Sequence, residues 1–214
     1  MVIRLLLAIV AVAATASLAD RASAHPHVWV TMKSELVYAP DGSVTGVRHA
    51  WTFDDMFSTF ATQGLAQKTK GVFTREELAP LATVNITSLK EFDYFTYAKV
   101  NGEKSAFVDP KDYWLEFTDN VLTLNFTLTL QKPVKPKTMN IEVYDPSYFV
   151  DFAFAEKEAV ALAGAPTACK LTVTKPQEIG VAQGQRLSEA FFNDPKSSDN
   201  WGAQFANRIA VDCP

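Results

Sequence analysis

Histidine and cysteine are scarce in this 214-residue chain, which has three of the first and two of the second. Cys169 and Cys213 each lack a histidine or a second cysteine nearby in sequence, so neither a thiolate metal site nor a disulfide-dense scaffold is expected. The two are expected to bond to each other and staple the C-terminal tail to the body. Basic residues are few too: 20 Lys and Arg against 24 Asp and Glu leave a formal charge of −4. That balance gives no footing for nucleic-acid binding, which needs basic patches to neutralise phosphates. The usual catalytic signatures are missing as well, with no Gly-x-Ser-x-Gly, no His-Glu-x-x-His and no phosphate loop. Ser-His-Asp chemistry would have to draw on His49, beside which the sequence offers no nucleophile. The chain therefore reads as a binding protein rather than an enzyme.

Long apolar runs are confined to the N-terminus. Arg4, the stretch Leu5 to Ala14 and the small-x-small triplet Ala22-Ser23-Ala24 have the layout of a secretory signal peptide over residues 1–24. The run is too short for a stable membrane anchor, and nothing later in the chain reaches spanning length. Residues 25–214 are expected to form a single exported, periplasmic domain.

Two of the three histidines stand at that junction, in Ala22-Ser23-Ala24-His25-Pro26-His27-Val28-Trp29-Val30. In extended chain, residues i and i+2 share a face, so His25 and His27 would present two imidazoles together. Cleavage after Ala24 would add the α-amine of His25, giving three nitrogens suited to Cu, Ni, Co or Zn. Pro26 blocks the alternative square-planar mode, because it has no amide proton to lose. The same pair also fits two solvated residues or a processing preference at the junction.

The Asp41-Gly42 pair between β-type runs predicts a hairpin of His27 to Tyr38 with Val44 to Phe53. A two-residue turn there pairs residues whose numbers sum to 83. Trp29 then faces Asp54, His27 faces Met56, and Asp54 shares the histidine face. His49 falls beside Ser34, about 23 Å away and on the opposite face. Asp54 is thus the third candidate metal ligand, with a helix or turn cap as its equally plain alternative.

Further strands are expected over Phe92 to Val100, Ser105 to Val108, Tyr113 to Phe117, Val121 to Leu130 and Thr138 to Tyr144. Thr74 and Glu77 form a capping box ahead of a helix over about 75–90, which Pro80 would shorten or kink. Leu187 to Phe192 and Trp201 to Ile209 read as short C-terminal helices. The fold expected is mainly β (α+β), an antiparallel, sandwich-like domain with that one helical insertion.

Four segments in order, HPHVWV, WTFDDMFS at 51–58, FDYFTY at 92–97 and YDPSYFVDF at 144–152, resemble the DUF1007 family across residues 25–214. Those are exported bacterial proteins associated with ABC-type or nickel/cobalt-type metal transport. The resemblance implies a transition-metal-handling accessory to an inner-membrane transporter, and singles out His25, His27, Trp51, Phe53, Asp54, Asp145, Pro146 and Tyr148. Asp145-Pro146-Ser147-Tyr148 reads first as a structural turn, with Asp145 or Asp151 as a lesser metal-ligand option. Some relatives carry a calcium-loop-like segment where this chain has Ala66, Lys68 and Lys70, so no calcium is expected over 66–77. Two other functions stay open: a copper enzyme with a histidine-brace centre, and a docking module without metal.

Overall fold

The computed structural model describes residues 26–176 and 201–214. Two β-sheets pack face to face, and the inward side chains of both fill one core. The first sheet grows from β1 (Val28–Tyr38) and β2 (Val44–Phe53). In β1 every even-numbered residue is buried while the odd-numbered ones face outward, the period-2 signature of a strand with one buried face.

The hairpin register is the expected one, but it arises differently. Val30 pairs with Phe53 and Ser34 with His49, both summing to 83. The loop, however, has three residues, Pro40 to Gly42, closed by the Ala39 amide donating to Ser43 O. Gly42 takes φ +81, a left-handed conformation that favours glycine. The longer loop starts the ladder one residue out, at Tyr38 with Val44, and a bulge at Thr45 restores it. The Thr45 hydroxyl donates to Val37 O and holds the bulge.

Beyond Phe53 the chain leaves the sheet, so the predicted pairing of His27 with Met56 does not form. Residues Asp55–Thr62 are α1, a helix that the cap reading of Asp54 allows but that is not among the expected elements. Asp54 is its N-cap, accepting from the Phe57 amide. Helix α2 spans Arg75–Lys90, where the capping box predicts it, and both capping-box hydrogen bonds are present. It runs on through Pro80.

Strands β3 (Thr96–Val100) and β4 (Glu103–Ser105) form a hairpin across Asn101-Gly102, whose φ angles of 52° and 86° suit a tight turn of the right twist. The expected strand over Phe92 to Val100 starts only at Thr96. The expected Ser105 to Val108 strand divides between sheets, with β5 (Phe107–Val108) joining β7 (Val121–Val134) in the first. β6 (Tyr113–Thr118) pairs β7 through Asp119-Asn120. β8 (Thr138–Val143) pairs β3 in the second sheet.

Three strands have no counterpart in the sequence reading. β9 (Val150–Phe154) and β10 (Val160–Ala163) lie parallel to the two halves of β1. β11 (Lys170–Thr174) edges the second sheet. The expected helix over Trp201 to Ile209 is a short 3-10 turn, Trp201–Phe205, followed by β12 (Asn207–Asp212). Asn207, Ile209 and Val211 alternate inward there, and pairing with both β8 and β11 overrides helical preference. Leu187 to Phe192 lies outside the described residues. Cys169 and Cys213 form the expected disulfide, beside the Lys170–Asp212 pair that ends the β11–β12 ladder.

Asp145-Pro146-Ser147-Tyr148 is the turn its composition suggests. Buried Asp145 accepts from the Ser147 amide and hydroxyl with one oxygen and from the Val150 amide with the other. Asp145→Ala would leave two amides without their acceptor and is expected to cost about 2–3 kcal/mol, read from the denaturant midpoint. This turn launches β9, which sets what lies beside the N-terminal histidine.

Candidate functional site

The outward face at the start of β1 gathers several of the candidate residues. His25 lies outside the described residues. His27 is exposed, and its amide donates to Phe149 O at 2.9 Å while its ring lies tilted against Phe149 at 4.8 Å between centroids. Trp29, 45% exposed, is the next residue on that face. Because β1 and β2 are antiparallel neighbours, Asp54 comes level with Trp29. The Trp29 amide donates to Asp54 Oδ2 at 2.9 Å, and the Asp54 amide donates to Trp29 O at 3.0 Å.

Asp54 therefore does the capping job named as its alternative, and a structural one besides. Each carboxylate oxygen accepts one backbone amide, from Phe57 or from Trp29. An ionised carboxylate has about four lone-pair sites, so capacity for a cation remains.

On the other side of Trp29 stands Asp151, its partner in the parallel β1–β9 ladder. Paired residues in a parallel ladder share a face, so Asp151 joins His27 and Asp54 there. It is half-buried, and burial pushes its carboxyl above the usual range. Tyr148 is close by. Burial, and then the Asp151 charge, push its phenol up to about 12. Its backbone is left-handed, φ 57°, and its ring stacks on Phe205 at 4.0 Å. Hairpin arithmetic could not reach Asp151, because its strand joins β1 across more than a hundred residues.

Among the described residues, no three His, Cys, Asp or Glu side chains converge tightly enough to hold a metal ion. His27, Asp54 and Asp151 share one face without forming a closed set.

His49 sits where the register predicts, opposite Ser34 and facing away from His27. It is fully buried, with Nδ1 2.9 Å from Ser34 Oγ and Nε2 3.3 Å from Thr96 Oγ1. Thr96 spends its proton on Tyr94 O, so Nε2 carries the imidazole proton and Ser34 donates to Nδ1. Burial among Trp51 and Phe126 lowers its pKa to about 3. It is a neutral bridge between the sheets and takes no part in the N-terminal face.

In the 66–77 loop, Glu77 accepts from the Thr74 amide with one oxygen and the Lys68 amide with the other. Those bonds lower its pKa, the Thr74 amide contributing most.

Comparison with known proteins bears on the whole chain. Residues 10–213 match the model of a family described as protein of unknown function, DUF1007. The chain belongs to this family. It is 27% identical over 195 residues to an uncharacterized protein of Haemophilus influenzae, covering 89% of this chain and 91% of that one. It is also similar to an uncharacterized 15.5 kDa protein in the trpE 3′ region of Spirochaeta aurantia, 28% identical over 93 residues, or 43% of this chain and 66% of that one. Within this DUF1007 chain, the WTFDDMFS segment is the β2–α1 junction with its Asp54 cap, and YDPSYFVDF is the Asp145 turn with β9. These segments, distant in sequence, both meet the N-terminal strand.

Proposed function

We propose that this protein is an exported, periplasmic accessory that captures a divalent transition metal (Ni, Co, Zn or Cu) and hands it to an inner-membrane transporter. The metal is cargo, and no turnover is required. His27 imidazole, His25 imidazole and the His25 α-amine would supply three nitrogens. Asp54 and Asp151 would supply negative charge on either side. The observation that carries this reading is the exposed imidazole of His27 immediately ahead of β1, two residues from Trp29, which Asp54 and Asp151 flank on its two sides. The Cys169–Cys213 disulfide fits an oxidising compartment. No helix among the described residues is long and apolar enough to cross a membrane.

The test is native mass spectrometry of protein expressed with its own leader, purified from the exported fraction and titrated with each of the four metals. The expected species begins at His25 and carries one metal. His27→Ala should weaken binding by at least about tenfold, and a methionine placed before His25 should weaken it too. Asp54→Asn and Asp151→Asn separate the carboxylates, since asparagine still caps α1 but brings no charge. A mature protein that takes up none of the metals at micromolar concentration would end this reading.

A further inference from the structure

The second sheet carries a cleft of its own, whose lining includes none of His27, Asp54 and Asp151. It encloses about 610 Å³ against the outward side of β3 and β8, beside the β3–β4 hairpin. Its most unusual feature is a pair of like charges. Lys99 and Lys104 are direct cross-strand partners in that hairpin, and both line the cleft. Like charges directly opposite each other destabilise a sheet. The pair cannot slip apart, because the two-residue Asn101-Gly102 turn sets the register. Among the described residues neither lysine lies within 4.0 Å of a carboxylate.

The cleft also holds two carboxylates, Glu142 and Asp93. Glu142 accepts from Arg208 Nε at 2.8 Å. Asp93 lies on the Tyr97 side, where burial first and then the neighbouring Tyr144, Asp93 and Asp145 push the Tyr97 phenol up. Asn140, the β8 partner of Lys99, puts an uncharged amide beside the lysines. One end of the cleft is therefore cationic and lined by polar donors.

The rim is built at a cost. Asp93, Tyr94 and Phe95 all have positive φ, 51°, 53° and 48°, in succession. Left-handed non-glycine residues persist only where the surroundings hold them, and they gather at ligand clamps. Here the Tyr94 hydroxyl donates to Asp109, the Tyr144 amide donates to Phe95 O, and Thr96 Oγ1 donates to Tyr94 O. The FDYFTY segment thus shapes a cleft wall rather than a plain strand.

We propose that this cleft binds a small multivalent anion, of the carboxylate or phosphate class, between the Lys99 and Lys104 ammonium groups. The anion offsets the repulsion that the hairpin register imposes. Asn140 and Arg208 Nη1, the guanidinium nitrogen not already donating to Glu142 or Ala203 O, supply further donors. The site is independent of the metal-binding reading.

The experiment is calorimetric titration of metal-free protein at low ionic strength, with citrate in one arm and inorganic pyrophosphate in the other. Saturable one-to-one binding of at least one probe is expected, and the arm that binds identifies the class. The Lys99→Gln/Lys104→Gln double variant should bind at least about tenfold more weakly, while His27→Ala binds as the wild type does. Thermal melts keep the comparison sound: the double variant should melt no lower than wild type, because a repulsion has been removed. Failure of both anions to saturate the protein at millimolar concentration overturns the proposal. So does equal affinity in the double variant.

Discussion

His49→Ala is expected to destabilise the protein by about 3–5 kcal/mol, the largest effect of any single side chain outside the purely apolar core. The ring fills space between Trp51 and Phe126, with centroid distances of 5.5 and 5.2 Å. Removing it opens a cavity at the middle of the core. It also leaves the Ser34 hydroxyl, on the other strand of the hairpin, without its buried acceptor. The Thr96 hydroxyl loses its bond across the sheets. His49→Gln is the informative companion, since it keeps a donor and an acceptor but surrenders ring volume, and it should recover part of the loss.

The same residue sets an acid limit. Its pKa is lowered to about 3 in the folded state, against an ordinary value near 6.5. Between those values the unfolded chain binds a proton that the folded chain refuses. Stability therefore rises with pH across that window and falls on acidification through it, by about 1.4 kcal/mol per pH unit. Denaturant midpoints of the wild type at pH 7, 6, 5 and 4 should show this slope, and His49→Gln should flatten it. An unchanged slope in the variant would assign the acid sensitivity to other groups.

The second large effect is the disulfide. Cys169 and Cys213 are separated by 44 residues. Cross-linking a loop of that length removes unfolded-state entropy equivalent to about 4 kcal/mol. Reduction, or Cys169→Ser/Cys213→Ser, should lower stability by that order. The loss has a definite location. β12 lies between β8 and β11, so the bond pins β12 at the Lys170–Asp212 end of their ladder. Amide exchange should rise first in β11 and β12 and leave the β1–β2 hairpin protected. A uniform rise across both sheets would mean that the second sheet does not open independently.

Local chemistry was legible wherever a signal and its partner lie close in sequence. The capping box at Thr74 and Glu77 located the start of α2. Asn101-Gly102 and Asp119-Asn120 located two tight turns. The β1–β2 register was legible too, although a three-residue loop and the Thr45 bulge produce it rather than a two-residue turn. Asp54 showed its two readings in advance, and capping is the one realised in its hydrogen bonds.

What stayed hidden is what depends on distant segments. α1 carries a weak sequence signal, since Asp55–Thr62 follows a strand without a break and its cap residue looked like a ligand. β12 resembled a helix until two neighbouring strands claimed its backbone groups. By itself the sequence determined the cysteine pairing, because two cysteines allow only one bond, and the period-2 strands with Trp29 on the outward face of β1, because alternation runs along one segment. Only the tertiary structure decided that Asp151 stands beside Trp29, that His49 bridges two sheets, and that Lys99 and Lys104 share a cleft with Arg208. Those juxtapositions come from how strands choose neighbours, and that choice is made by burying all the apolar faces at once, a sum over the whole chain that no local stretch records.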